Sequence, residues 1–307
     1  MKSGFVSLIG LPNAGKSTLV NALIGAKVGI VSAKPQTTRR RVVGIYNDES
    51  MQACFIDAPG MIHTANGLNR FLRCECNAVM KDGDILVAVL NVDAPNLEDL
   101  LQIVRAVAKQ KKPWMAVITK TDLDDGHREG RLREEIVAFG APTVAVSAIK
   151  KSTKASERVI PFIREILPTA PPLFEGDFYT TQSEREMVAE IIREKCFESV
   201  HKEVPYGLAV RILKFEEQYP AVTSGAVPAR NSKIPKIEAE IIVSKDNFLP
   251  IVLGENGRRI RHIGVEARRD IEKLLGHQIF LQTRVKVKRD WQRNATIMRE
   301  LGYVVPK

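Results

Sequence analysis

The sequence predicts an α/β domain, with a mostly parallel sheet and helices on both faces, followed by a smaller α+β domain. Three observations carry this. Short apolar runs alternate with helical patterns through the first half, as βα-wound sheets require. A glycine-rich loop at residues 10–17 lies between a strand pattern and a helix pattern. A proline-rich stretch at 167–176 then separates this half from a second set of elements.

Each element has its own signal. Residues 5–9 read as a buried strand, and 18–24 as a helix with an apolar face. Segments 40–46 and 52–56 read as neighbouring strands. Residues 85–91 and 114–118 are short continuous apolar runs, the pattern of central parallel strands, and 143–146 reads as the last strand. Helical patterns fall at 97–111, 127–139 and 155–166. Beyond the proline-rich stretch, Met187, Val188, Ile191, Ile192 and Cys196 are helically spaced within 184–199. Segments 208–215 and 237–243 alternate like strands. Between them, Pro220, Gly225, Pro228 and Pro235 mark a long irregular loop. A short apolar turn at 248–253 precedes a basic helix at 258–275 and a strand at 278–287. The expected organisation is a first domain over 1–167, a linker over 168–180 and a second domain over 181–307.

The 307 residues carry 46 Lys and Arg against 36 Asp and Glu, a net charge of +10, which favours an anionic partner. The charge is uneven. From residue 245 onward there are 14 basic against 7 acidic side chains, while 171–244 holds 9 against 12. Four cysteines form no CxxC pair, and Cys74-Glu75-Cys76 is too tight for the usual zinc spacing. So few thiols point to a reducing, cytoplasmic setting. The apolar start runs straight into the glycine-rich loop, unlike a signal peptide, and the longest apolar run, 85–90, is too short to span a bilayer.

The loop Gly10-Leu11-Pro12-Asn13-Ala14-Gly15-Lys16-Ser17, followed by Thr18, fits the phosphate-binding pattern. Its backbone N–H groups can wrap a triphosphate at the positive end of a helix. Lys16 would reach the outer phosphates, and the Ser17 hydroxyl would ligate Mg²⁺. Four further segments stand in the order of a guanine-nucleotide domain, most of them at the carboxyl end of a strand. Pro35-Gln36-Thr37-Thr38-Arg39 offers Thr37 or Thr38 to the Mg²⁺. In Asp57-Ala58-Pro59-Gly60, Asp57 can hold the Mg²⁺ shell and the Gly60 N–H can sense the γ-phosphate. Thr119-Lys120-Thr121-Asp122 offers a carboxylate to guanine's two N–H donors and a Lys120 stem to cover the base. Ser147-Ala148 can present a backbone N–H to the guanine oxygen. The expected ligands are GTP and GDP with Mg²⁺, and the expected catalytic groups are Lys16, Thr38 and Gly60.

Two residues depart from the common pattern. Thr119 stands where Asn is usual, so a base contact and a brace on the phosphate loop are expected to weaken. Met61 stands where some GTPases place a water-orienting Gln, and a thioether cannot polarise water. Catalysis then falls to positioning, Mg²⁺, backbone groups and a monovalent cation such as K⁺, for which Asn13 is suitably placed.

Taken together, these motifs, the junction at Glu203-Val204-Pro205-Tyr206 and the segment Gly254-Glu255-Asn256-Gly257-Arg258-Arg259 resemble the Era family of bacterial ribosome-assembly GTPases over nearly the whole chain. The resemblance implies a P-loop GTPase domain followed by a type II KH-like domain. A GxxG turn between two helices lets a nucleic-acid backbone approach, clamping about four single-stranded nucleotides. Gly254, Glu255, Asn256, Gly257, Arg258, Arg259 and Arg261 would form this clamp, with Lys286, Lys288 and Arg289 continuing the basic face. The resemblance also implies binding near the 3′ end of 16S ribosomal RNA, action in small-subunit (30S) maturation, and peripheral association with the inner membrane. Glu255 puts a negative charge inside the clamp, 217–235 is long for the family, and 149–155 lacks a usual glycine. An alternative reading is an RNA-binding assembly protein with a degenerate nucleotide switch; Asp122 opposes an ATP-using kinase. His63 reads as an ordinary loop residue and Trp291 as a packing residue.

Overall fold

The computed structural model describes residues 1–32, 34–61, 67–124, 126–149, 154–216 and 234–304. Met1–Gln182 and Ser183–Tyr303 form two compact units.

The first unit is built on six strands: β1 (Lys2–Gly10), β2 (Val42–Asn47), β3 (Met51–Asp57), β4 (Ile85–Asn91), β5 (Trp114–Thr119) and β6 (Thr143–Ala145). Their order is β2-β3-β1-β4-β5-β6, antiparallel between β2 and β3 and parallel elsewhere. Every residue of β4 is buried, which explains its unbroken apolar run. Helices α1 (Lys16–Ile24) and α5 (Ala155–Ile166) cover one face, packing Leu19, Val20, Leu23, Val159, Ile160 and Ile163 on it. On the other face lie α2 (Leu68–Asp82), α3 (Leu97–Ala108) and α4 (Arg128–Val137), which bury Val79, Ile103, Val104, Leu132 and Ile136. Helix α2 has no counterpart in the sequence expectations. Its buried positions Leu68, Phe71, Leu72, Cys76, Val79 and Met80 are helically spaced, but polar and charged residues interrupt them, and Cys76 acts as a small apolar residue.

Registry sets the site. Leu8 pairs with Asp57, Gly10 with Val89 and Asn91 with Thr119, so the carboxyl ends of β1, β3, β4 and β5 reach one edge together. The stretch after α5 is held along the opposite side of the hairpin. Gln52 accepts from the Leu173 and Phe174 amides, and Val43 O accepts from the Thr180 hydroxyl and the Thr181 amide. The Val43 bonds occupy the free edge of β2.

The second unit has three strands, β7 (Leu208–Phe215), β8 (Lys236–Val243) and β9 (Phe280–Val287), in that order. β7 and β8 are antiparallel; β8 and β9 are parallel. Helix α6 (Glu184–Ser199) opens with a capping box of Ser183 and Glu186. Its Val188, Ile192 and Cys196 share a core with Ile263, Ala267 and Ile271 of α8 (Arg258–Leu275) and with Ile237 and Ile241 of β8. The short helices α7 (Phe248–Leu253) and α9 (Ala295–Glu300) complete the unit. Trp291 is fully buried: its indole N–H donates to Gly207 O at 2.8 Å, and its ring stacks on Tyr303. Most of the expected 217–235 loop (217–233) lies outside the described residues, as do His63 and 150–153.

Candidate functional site: a phosphate loop, an oxygen cluster and a GxxG turn

The phosphate loop joins β1 to α1. Gly15 enters the helix with φ 84°, and Asn13 is also left-handed at φ 63°. Lys16 is 5% exposed, and its ammonium donates to Leu11 O at 3.0 Å and to Gly10 O at 3.4 Å. Burial pulls the Lys16 pKa below its usual value, against the opposing pull of the Asp57 carboxylate. Pro12, Asn13, Ala14, Gly15, Lys16, Ser17 and Thr18 line one cleft with Ile30, Val31, Ser32, Lys34, Gln36 and Gly60. Gly60 approaches the loop so closely that a Cβ there would sit 2.3 Å from Pro12 N. The next amide, that of Met61, donates to Gly10 O at 3.0 Å. Position 60 therefore admits only glycine, and Asp57-Ala58-Pro59-Gly60 is pinned to the phosphate loop.

Three side-chain oxygens converge beside the Lys16 ammonium. Ser17 Oγ donates to Asp57 Oδ2 at 2.6 Å, Thr38 Oγ1 to the same oxygen at 3.2 Å, and the two hydroxyls are 2.9 Å apart. Asp57 is 1% exposed, and its Oδ1 is buried without a hydrogen-bond partner among the described residues. Burial raises the Asp57 pKa, while Lys16, Ser17 and Thr38 oppose the rise. A buried anionic oxygen beside two hydroxyls suits a hard divalent cation. The structure separates the two threonines. Thr37 lies outside the cluster, its hydroxyl donating to Lys34 O at 2.6 Å.

The segments expected to bind guanine meet at the ends of β5 and β6. Thr119 is 2% exposed, and its hydroxyl donates to Ala14 O at 2.7 Å. A brace is present where weakening was expected, because a hydroxyl at this backbone position reaches the loop. Ser147 Oγ donates to Asp122 Oδ1 at 2.6 Å and orients that carboxylate. Thr121, Ala148 and Lys120 flank it, and Lys120 pairs with Asp93 at 2.9 Å. Asp93 carries no sequence expectation. Burial pushes its carboxyl up, but Asn91 and Lys120 hold it below the ordinary value. Asn21 was also missed: its side-chain oxygen accepts from the Val28 and Gly29 amides and fixes the loop leaving α1. Both contacts span loops whose sequence has no motif.

In the second unit, Gly254 (φ 70°), Asn256 (φ 50°) and Gly257 (φ 72°) form the turn between α7 and α8. A Cβ on Gly254 would meet Arg259 Cβ at 2.7 Å, whereas Gly257 faces open space and is required by backbone conformation alone. Glu255, Arg258 and Arg261 are exposed. Arg259 is not free, because its guanidinium donates to Ile251 O. The continuation of the basic face is partly neutralised. Lys288 pairs with Glu300 at 2.8 Å, Arg289 with Asp246 at 2.7 Å, and Lys286 lies 4.0 Å from the buried Glu240.

Comparison with known proteins agrees with this geometry. A family model described as "50S ribosome-binding GTPase" matches residues 5–120, and one described as "KH domain" matches 203–292. The chain is 37% identical over 306 residues to GTPase Era of Geotalea daltonii, covering 98% of this chain and 97% of that protein. It is 36% identical over 317 residues to GTPase Era of Clostridioides difficile, covering 98% of each. A variant of Aquifex aeolicus Era bound to GDP and AlF4⁻ superposes with a TM-score of 0.89 at 32% identity, covering 99% of this chain and 100% of that one. A structure of Era with MgGDPNP and nucleotides 1506–1542 of 16S ribosomal RNA superposes with a TM-score of 0.88 at 32% identity and the same coverage.

Proposed function

We propose, from the premise that this chain belongs to the Era family of GTPases, that it binds and hydrolyses GTP in its first unit and grips 16S ribosomal RNA near its 3′ end with its second, in the service of small-subunit maturation. The observation that carries the reading is the convergence of Ser17, Thr38 and Asp57 beside the buried Lys16 ammonium. Those three oxygens would hold Mg²⁺, which when bound neutralises charge on the phosphate oxygens.

The chain's own groups supply the rest. Lys16 stands over the outer phosphates, and the phosphate-loop amides surround them. The Gly60 N–H meets the γ-phosphate and couples its presence to the segment that follows. The Met61 side chain offers water no donor and only a weak acceptor, so backbone groups around the phosphates orient the attacking water and the switch is slow on its own. Asn13 supplies an oxygen for K⁺. Asp122, oriented by Ser147, accepts from the guanine N–H groups; the Lys120 stem covers the base, Ala148 donates to its oxygen, and Thr119 braces the loop. In the second unit, the amides at Gly254, Glu255, Asn256 and Gly257 take the RNA backbone, with Arg258 and Arg261 as exposed cations that have no ion-pair partner among the described residues and Arg259 as a support. Lys286 and Lys288 contribute less, since acidic neighbours share their charge.

Membership of the family also supports peripheral association with the inner membrane; no described helix is long and apolar enough to cross one. The test has two arms. Lys16→Ala should abolish GTP binding in calorimetry, and a 16S 3′-end oligonucleotide should bind with different affinity to the GDP- and GTP-loaded protein. Wild-type GTP affinity in the variant removes the nucleotide site. Equal RNA affinity in the empty, GDP and GTP states removes the switch.

A further inference from the structure

Arg41 stands at the entry to β2, three residues beyond Thr38. Its Nε lies 3.3 Å from Glu75 Oε2, and its Nη1 donates to Asp82 Oδ2 at 2.7 Å. Both carboxylates belong to α2, two helical turns apart on one face. The Glu75 side chain is only 13% exposed, and among the described residues Arg41 is its sole cationic partner. Enclosure on the Glu75 side strengthens that arm of the fork, while Arg41 and Asp82 remain about half exposed. A single planar guanidinium spanning two carboxylates also fixes orientation, which a flexible ammonium would not.

The place of this fork in the chain gives it a role beyond packing. On one side, Thr38 reaches the Ser17–Asp57 cluster. On the other, α2 begins eight residues after Gly60, the residue packed on the phosphate loop. Val42, immediately after Arg41, pairs with Asp57 itself. Arg41 thus lies three residues from Thr38 on the same segment, with its base beside the β2–β3 ladder and its tip on α2.

We infer that Arg41 is a positioning residue: through Glu75 and Asp82 it couples seating of the Thr38 hydroxyl at the metal–phosphate site to the placement of α2. The inference rests on the reading of Ser17, Thr38 and Asp57 as the Mg²⁺ cluster. Thr38 already meets Ser17 and Asp57 here, and a γ-phosphate bound with Mg²⁺ would draw on that contact, whereas GDP would rest on the phosphate loop and the segments expected to bind guanine. Loss of the fork should therefore discriminate between the two nucleotides, as a coupling free energy must.

The test uses the full chain with Mg²⁺ and compares GDP with a non-hydrolysable GTP analogue. Arg41→Gln should weaken analogue binding about five- to tenfold, at the low end of measured couplings, and leave GDP affinity unchanged. Hydrogen exchange in α2 should differ between the two loaded states in the wild type and become the same in the variant. Arg41→Lys, which keeps the charge but not the fork, should restore only part of the discrimination. Asp82→Asn removes one arm from an exposed position and should show the same trend if Arg41→Gln does not fold. An unchanged analogue-to-GDP affinity ratio, with the α2 exchange difference retained, overturns the coupling while leaving the Mg²⁺ cluster standing. Analogue binding to the wild type that ignores Mg²⁺ overturns the cluster and the coupling together.

Discussion

The Thr119 hydroxyl and the Ala14 carbonyl oxygen are joined by a buried hydrogen bond of 2.7 Å, which ties the end of β5 to the middle of the phosphate loop. An amide at position 119 would reach further, but a hydroxyl suffices because Asn91 and Thr119 are paired across β4 and β5 at the loop's floor. The bond links the end of β5 directly to the phosphate loop.

Thr119→Val preserves shape and removes the donor, leaving Ala14 O buried and unsatisfied. The cost should be about 1–3 kcal/mol, shared between fold stability and nucleotide affinity. Calorimetry should show GDP and GTP weakened by the same factor, because the loop serves both. Thr119→Ser should retain most of the affinity.

Asp122 is held by Ser147 with one oxygen at 2.6 Å. Asp122→Asn replaces an acceptor pair by a donor and an acceptor, so it should cost about 3–5 kcal/mol of guanine affinity, two charge-assisted bonds' worth. Xanthine nucleotides, which carry an oxygen where guanine carries an amino group, should gain affinity for the variant. Competition binding with the two bases measures the exchange, and unchanged guanine preference would place the base elsewhere.

Arg258 is exposed and has no ion-pair partner among the described residues, whereas Arg259 is engaged with Ile251 O. Arg258→Ala should reduce the slope of log affinity for single-stranded RNA against log salt by about 0.7, the value for one lost phosphate contact. Arg259→Ala should instead lower the melting temperature, since it unpins the turn. Glu255→Gln removes a repulsive charge and should raise RNA affinity by about 0.5–1 kcal/mol at low salt.

Asp48 closes the turn between β2 and β3, accepting from the Ser50 and Met51 amides and the Ser50 hydroxyl, and it also pairs with Arg164. Burial pushes its carboxyl up, but these bonds and the Tyr46 hydroxyl hold it below the ordinary 3.8. A carboxyl depressed in the folded state stabilises above its unfolded value, and this contribution is lost as pH falls through the folded value. Asp48→Asn should therefore cost about 1–2 kcal/mol at neutral pH. Thermal melts should show the two proteins converging as pH drops below 3.8. A gap that persists in acid would mean the effect is steric.

Much of the first unit was legible because its signals are local. The unbroken apolar run of β4 reports burial on both faces, and the phosphate loop needs its glycine and lysine at set spacing. The helix at 68–82 was not legible, since Cys74, Glu75 and Asn77 interrupt its apolar stripe and its start lies beyond residues without a pattern. The basic face was legible as composition but overstated, because Glu300, Asp246 and Glu240 come from elsewhere in the chain to share the charge of Lys288, Arg289 and Lys286.

The amino-acid order alone pointed to a phosphate loop, a guanine-binding segment and a GxxG turn, since each expectation depends on residues within a few positions of one another. Only the folded chain decided that Thr38 and not Thr37 joins Ser17 and Asp57, that Thr119 braces Ala14, that Arg259 is spent on Ile251, and that Arg41 spans Glu75 and Asp82. Those choices hang on strand register and helix rotation, which arise from burying both faces of a sheet at once and leave no trace in the spacing of a motif.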